Sequence, residues 1–160
     1  MSDAVTGRYF EEFIIGDTYK HAIRRTVTET DNLLFSALTH NTQPLHLDEE
    51  FCKNTMYGTR IVNSIFTLGL VCGVGVGDLT LGTTLGNLGF GEVKFTHPVF
   101  VGDTIRSETE VVGKRESRSR PDAGIIELES RAYNQRNELV TKFRRFQLMR
   151  KKSSVTAAAA

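Results

Sequence analysis

One stretch limits the folds open to this chain more than any other. From Arg60 to about Val76 the residues read RIVNSIFTLGLVCGVGV, apolar on nearly every side. A helix with that pattern has no face to offer water and must be surrounded by protein. It does not suit a membrane span, because Asn63, Ser64, Thr67 and several glycines interrupt it and it is short for the role. Something else in the chain has to enclose it.

The second half supplies the enclosure. TLGNLGFGEVKFT, DTIRSETEVVGKRES, GIIELESRAYNQ and ELVTKFRRFQLMR alternate apolar and polar residues in the period-two manner of strands. Turn signals separate them at HPVFVGD (97–103), RPDAG (120–124) and NQRNE (134–138). The expected architecture is α+β, an antiparallel sheet wrapped around one long central helix. A sheet of this kind leaves edges open, and pairing of two subunits into a homodimer or higher homo-oligomer would protect them. With 160 residues and no Pro/Ser/Gly-rich linker the chain reads as one domain, residues 8–150, followed by a disordered tail, residues 151–160.

The first half carries shorter elements. Tyr19 to Val27 reads as a half-exposed strand after a Gly16-Asp17 turn. Thr28 and Asp31 have capping-box spacing at the head of TETDNLLFSALT, a helix ending near Thr39, and Leu33, Leu34, Ala37 and Leu38 fall on one of its faces. LDEEFCKNT offers a second short helix, with Asp48 as its cap and acids in its first turn.

Composition removes several function classes. A net charge of +1 gives no basic field for a nucleic-acid backbone, and the basic runs GKRESRSR and KFRRFQLMRKK read as solvated faces. Two cysteines and a start without a charged segment followed by an apolar run point to a reducing, cytoplasmic setting. Cys72 reads as a small buried side chain. No metal-ligand spacing occurs among the Cys and His residues, so no metal is expected. GVGVGD (73–78) lacks the preceding strand and following helix of a dinucleotide site, and its glycines are expected to end the central helix.

Three stretches together resemble the MaoC-like dehydratase family, the group of hot-dog folds that includes (R)-specific enoyl-CoA hydratases. ALTHNTQPLH resembles the signature A-x-[ST]-G-D-x-N-P-x-H, with Ala37, Thr39, Pro44 and His46 matching outright. FCKNTMYGTRIVNSIF stands where the family enters its central helix, and FTHPVFVGDTI (Phe95 to Ile105) resembles its F-x-x-P-V-x-x-G-D-T-[IL] turn. RESRSRPDAGII further resembles the mesaconyl-CoA and itaconyl-CoA hydratase branch. The likeness spans roughly Phe10 to Met149. It departs twice: His40-Asn41 replaces Gly-Asp, and Asn63-Ser64 replaces His-Gly at the helix entry.

The resemblance implies hydration of an enoyl thioester, or dehydration of a 3-hydroxyacyl thioester, with coenzyme A present only as part of the substrate and no other cofactor. In that reading His46 is the catalytic base, since an imidazole exchanges protons near neutrality, and Pro44 helps fix its backbone. Its bland alternative is a histidine satisfying a loop hydrogen bond. Asn41 can orient the water but carries no proton, and could instead serve only to end the helix. Ser64 supplies a backbone N–H for the developing enolate oxygen, and Asn63 either touches substrate or holds the loop. His40 is expected to face solvent. Arg60, Arg118 and Arg120 are surface arginines that could also meet coenzyme A phosphates or a substrate carboxylate. Two other readings stay open: an acyl-CoA thioesterase, for which the central helix offers no carboxylate, and a non-catalytic binding protein, for which Asn41 is the evidence.

Overall fold

A computed structural model describes residues 7–153. Four long strands dominate it: β3 (Thr84–Phe95), β4 (Thr104–Glu116), β5 (Ala123–Tyr133) and β6 (Leu139–Arg150). Two short ones precede them, β1 (Thr18–Lys20) and β2 (Arg25–Thr26). The sheet is antiparallel with order β1-β4-β5-β6-β3, and β2 also pairs with β4. The connections fall at the expected turns. The helices are α1 (Glu29–Leu38), α2 (Pro44–Leu47), α3 (Glu49–Cys52) and α4 (Ser64–Val74).

The expected strand from Tyr19 to Val27 is split. Between the pairs Lys20↔Glu108 and Arg25↔Ile105 the first segment takes five residue steps and β4 takes three, so two residues bulge out. His21 begins the bulge and turns its side chain inward, where Nδ1 meets Asp78 at 3.0 Å and Nε2 meets Thr109 Oγ1 at 2.9 Å. The His21 backbone N–H still reaches Ser107 O on β4 at 3.1 Å, so the strand departs from β4 only after it.

The central helix is shorter and barer than the sequence implies. Asn63 caps α4 by accepting the Ile65 N–H, so residues 60–63 stay extended and bond to neighbouring loops: Ile61 N–H to Leu45 O at 3.0 Å, and Val62 N–H to Val99 O at 2.8 Å. Eleven residues make a rod of about 16 Å. Thr67, Val71 and Val74 face the sheet, while Ile65 is 56% exposed and Gly69 and Gly73 share its open side. The sheet covers one side of α4, α1 touches it through the Phe35–Phe66 ring pair at 5.8 Å, and the side of Ile65, Gly69 and Gly73 stays open. No helix among the described residues is long and apolar enough to cross a membrane.

The inner face of the sheet holds two apolar clusters. One joins Val71 of α4 to Val27, Ile105, Ala132, Val140 and Phe143. The other joins Phe10, Phe13, Val111, Ile126, Leu128 and Met149. A Cβ on Gly124 would lie 2.1 Å from the Phe10 ring, so only glycine lets that ring reach the strand. Polar side chains occupy the same strands between the clusters: Thr109 between Ile105 and Val111, Ser130 between Leu128 and Ala132, and Arg145 between Phe143 and Met149. The tail expected from Lys151 onward is tied down at its start, with Lys151 N–H on Asp122 O and Lys152 N–H on the Glu11 carboxylate, each at 3.0 Å. Residues 154–160 lie outside the described residues.

Candidate active site

The polar corner is built from the end of α1. Thr28 and Asp31 close the expected capping box, with Thr28 N–H on Asp31 Oδ2 at 2.8 Å and Asp31 N–H on Thr28 Oγ1 at 3.2 Å. At the other end His40 N–H bonds Ala37 O and Asn41 N–H bonds Ser36 O, the paired bonds of a Schellman motif. His40 sits in the left-handed region at φ +53°, so His40, not Asn41, is the residue that terminates the helix. His40 faces solvent, as expected.

Asn41 comes next, half buried, and its Oδ1 accepts the Gln43 N–H at 3.1 Å. That Asx turn sets Pro44 at the first position of α2, where its missing N–H costs nothing. One turn of helix then carries His46 inward. Asp48 caps α3 by accepting the Phe51 N–H at 2.9 Å.

His46 is 8% exposed, and its Nδ1 lies 3.0 Å from the Ile61 carbonyl oxygen. A carbonyl only accepts, so Nδ1 carries the proton and Nε2 keeps a lone pair. No described residue engages Nε2. The imidazole is therefore oriented and fixed in the tautomer that suits a base.

Behind it lies a residue that pattern reading passes over. Asn32 is fully buried on α1. Its Oδ1 accepts the Asn63 N–H at 2.9 Å, and its Nδ2 donates to His46 O at 3.0 Å and to Ile61 O at 3.5 Å. One carboxamide thus locks the His46 backbone, the loop that orients the His46 ring, and the entry to α4. Ser36, also fully buried, accepts Asn63 Nδ2 at 3.4 Å on its hydroxyl and the Asn41 N–H on its carbonyl. The expected face of Leu33, Leu34, Ala37 and Leu38 is instead the open one, with Leu34 56% and Leu38 72% exposed. The available signal was a poor helix former, Asn32, placed mid-helix with a serine four residues on.

The structure therefore joins His46, Asn63 and the start of α4 into one hydrogen-bonded unit. Asn41 meets that unit through its backbone, and no contact links its side chain to His46. Asn63 spends its carboxamide on the helix cap and on Ser36. Ser64 N–H, at the first position of α4, finds no acceptor among the described residues. A cavity of about 290 Å³ opens beside it, lined by Ser64 and Thr67 of α4, Ile61, Tyr57, Pro98 and Val140 among others. His46 and Asn41 stand outside its wall, with Ile61 between His46 and the cavity.

The three arginines considered from sequence differ in freedom. Arg60 is committed to Glu29 at 2.6 Å and Glu49 at 3.0 Å, tying α1 to α3, and the Thr59 hydroxyl and the Arg60 guanidinium hold the Glu49 carboxyl below the ordinary carboxylate range. Arg120 pairs with Asp122 at 2.6 Å. Arg118 is exposed.

An antiparallel sheet packed on a central helix, with a polar loop fixed at that helix's amino end, defines a hot-dog fold. A double hot-dog protein of Mycobacterium tuberculosis matches it with a TM-score of 0.82 at 23% identity, over 92% of this chain and 46% of that one. Residues 11–132 match the family model described as MaoC like domain, and the chain belongs to that family. It is 33% identical to mesaconyl-CoA hydratase of Cereibacter sphaeroides over 96% of its own length, and spans 44% of that protein. It is 30% identical to an (R)-specific enoyl-CoA hydratase of Rhodospirillum rubrum, over 70% of this chain and 75% of that one. The X-ray structure of a monoamine oxidase regulatory protein from Archaeoglobus fulgius superposes with a TM-score of 0.82 at 34% identity, over 91% of this chain and 96% of that one.

Proposed function

We propose that this protein interconverts an enoyl-CoA thioester and the corresponding 3-hydroxyacyl-CoA. The observation that carries the reading is the 3.0 Å bond from His46 Nδ1 to the Ile61 carbonyl, which leaves Nε2 as an oriented base tied to the segment that enters α4, whose first amide has no acceptor among the described residues. In the hydration direction Nε2 takes a proton from water as its oxygen bonds to the β-carbon. The thioester carbonyl becomes an enolate, whose oxygen the Ser64 N–H and the α4 dipole stabilise. The imidazolium then returns a proton to the α-carbon. Asn41 holds no exchangeable proton at working pH, so one imidazole both removes and delivers it, and water adds to a single face of the double bond. Asn41 keeps its Nδ2 for the water, since Oδ1 is spent on the Gln43 N–H. Asn63 positions rather than touches substrate.

Hydration is redox-neutral and needs no cofactor beyond the coenzyme A the substrate carries. The exposed Leu34, Leu38 and Ile65 beside the site support a homodimer in which a second copy closes it, and two unpaired cysteines suit a cytoplasmic protein. A thioesterase reading lacks a carboxylate in the first turn of α4. The test is loss of enoyl absorbance from crotonyl-CoA. His46→Ala should cost about 10²–10⁴-fold in kcat with an unchanged circular dichroism spectrum, and full activity in that variant would end the proposal.

A further inference from the structure

Arginines on the outer face of the sheet are well supplied with counter-charges. Arg131 lies 2.6 Å from both Glu110 and Glu129, and Arg144 lies 3.2 Å from Glu127 and 3.5 Å from Glu129. The arginine on the inner face is not. Arg145 is 8% exposed, its Nε is buried without an acceptor, and no described carboxylate pairs with it. It stands on β6 across from Leu128 of β5 and Phe90 of β3. Its neighbour from α4 is the Cys72 thiol, which burial pushes toward a higher pKa and the Arg145 charge pulls back.

Burying an unpaired guanidinium costs several kcal/mol, and interior donors almost always find a partner. Two more interior polar groups are also orphaned: Gln147 Oε1, two residues along β6 on the same face, and Thr67 Oγ1 of α4. Thr67 lines the cavity that opens at Ser64, and Val140 of β6 lines it too, so the cavity lies at the amino end of α4 against the strand that bears Arg145 further along. Cys72 follows Ser64 by eight residues, roughly 12 Å along the helix axis. That span fits a medium-length acyl chain plus the hydrogen bond that would hold its far end.

We infer that Arg145 receives the distal carboxylate of a dicarboxylic acyl-CoA, making it the residue that selects a diacid chain over a plain fatty one. The inference rests on the hydratase reading and names its substrate class. A carboxylate suits the site because its two oxygens match the planar fork of a guanidinium, and because it supplies the charge that the interior lacks. The Gln147 amide can turn its N–H₂ toward the same group.

The test compares oct-2-enedioyl-CoA, a medium-chain diacid thioester whose length matches that span, with oct-2-enoyl-CoA, its counterpart with a methyl group in place of the second carboxylate. The wild-type chain should favour the diacid in kcat/KM. Arg145→Met should lower the diacid-to-monoacid ratio about 100-fold, and Arg145→Lys, which keeps the charge but not the fork, should fall between. Calorimetric binding of the two thioesters to the same proteins gives a readout independent of turnover. Diacid-selective binding that weakens in Arg145→Met without turnover supports the Arg145 assignment and overturns the hydratase reading. A ratio unchanged in both variants, or a wild type that prefers oct-2-enoyl-CoA in both measurements, overturns the assignment and leaves the hydratase reading standing. If Arg145→Met fails to fold, the wild-type preference and the Arg145→Lys ratio decide.

Discussion

Helix α1 and strand β4 both carry apolar residues in a regular pattern, yet they use it in opposite ways. β4 turns Ile105, Ser107, Thr109 and Val111 inward on strict alternation. α1 buries Asn32 and Ser36 and leaves Leu34 and Leu38 in the open. On β4 one face meets the core and the other meets charged neighbours on the next strand, so periodicity decides orientation. On α1 the inward side meets a loop, the His46 corner and the α4 cap, whose backbone groups need hydrogen-bond partners more than apolar contact. Rules of local pattern are broken where a site is being held in place.

The sharpest way to break this comparison is to remove the α1 carboxamide. Asn32→Ala strands the Asn63 N–H and the His46 carbonyl in the interior, at about 1–3 kcal/mol for each group left unpaired, while the Ile61 carbonyl keeps His46 Nδ1. We expect a loss of at least about 2 kcal/mol in urea unfolding. Leu38→Ala, on the exposed face of the same helix, should stay within about 0.5 kcal/mol at concentrations too low for self-association. A larger loss at Leu38 than at Asn32 would show that the helix is oriented the other way.

This also explains what the sequence made legible. The four long strands, their turns, the Thr28 box and the Asp48 cap were readable because each is decided by residues a few positions apart. The inward face of α1 was not, since Asn32 acts on residues 14 and 31 positions away. The orientation of His46 was hidden for the same reason, because its ring is set by Ile61, a carbonyl with no side-chain signature. The bulge at His21 depends on Thr109, 88 residues on. The family likeness pointed to His46, but it could not show that Asn63 caps a helix or that Arg145 lacks a counter-charge.

The sheet offers a second, smaller contrast through its charges. Glu129 is 5% exposed on the outer face, within 3.0 Å of Lys142 and 2.6 Å of Arg131. Burial raises its carboxyl pKa, but the Lys142 ammonium and the Arg131 guanidinium outweigh it and hold the pKa below its ordinary value of 4.5. A depressed pKa means that the folded state favours the carboxylate. The stability this contributes is therefore present above about pH 4.5 and lost as pH falls through the folded value. Glu129→Gln should cost about 1–2 kcal/mol at pH 7, because its partners are partly solvated. It should also flatten the fall in melting temperature below about pH 4.5. Parallel acid curves for the two proteins would remove Glu129 from the account.

The smallest effect runs the other way and compares one backbone conformation in the two regions. His40 ends α1 at φ +53°, and Asn137 turns from β5 to β6 at φ +63°. Asn tolerates the left-handed region through local hydrogen bonding, and Asn137 Oδ1 also accepts from Arg106 at 2.8 Å. His40 has no such compensation, and it stands where the resembled signature has glycine. An L-residue with a Cβ pays roughly 1–2 kcal/mol there, against about 0.5–1 kcal/mol of added chain entropy for glycine in the unfolded state. His40→Gly should therefore stabilise the protein by up to about 1 kcal/mol, a rise of about 2–4 °C in Tm for a domain of this size, while Asn137→Gly should be neutral or destabilising. Activity separates two roles for the imidazole: turnover retained in His40→Gly assigns it to the helix end, whereas turnover lost with the gain in Tm intact would bring His40 into the proton chemistry beside His46.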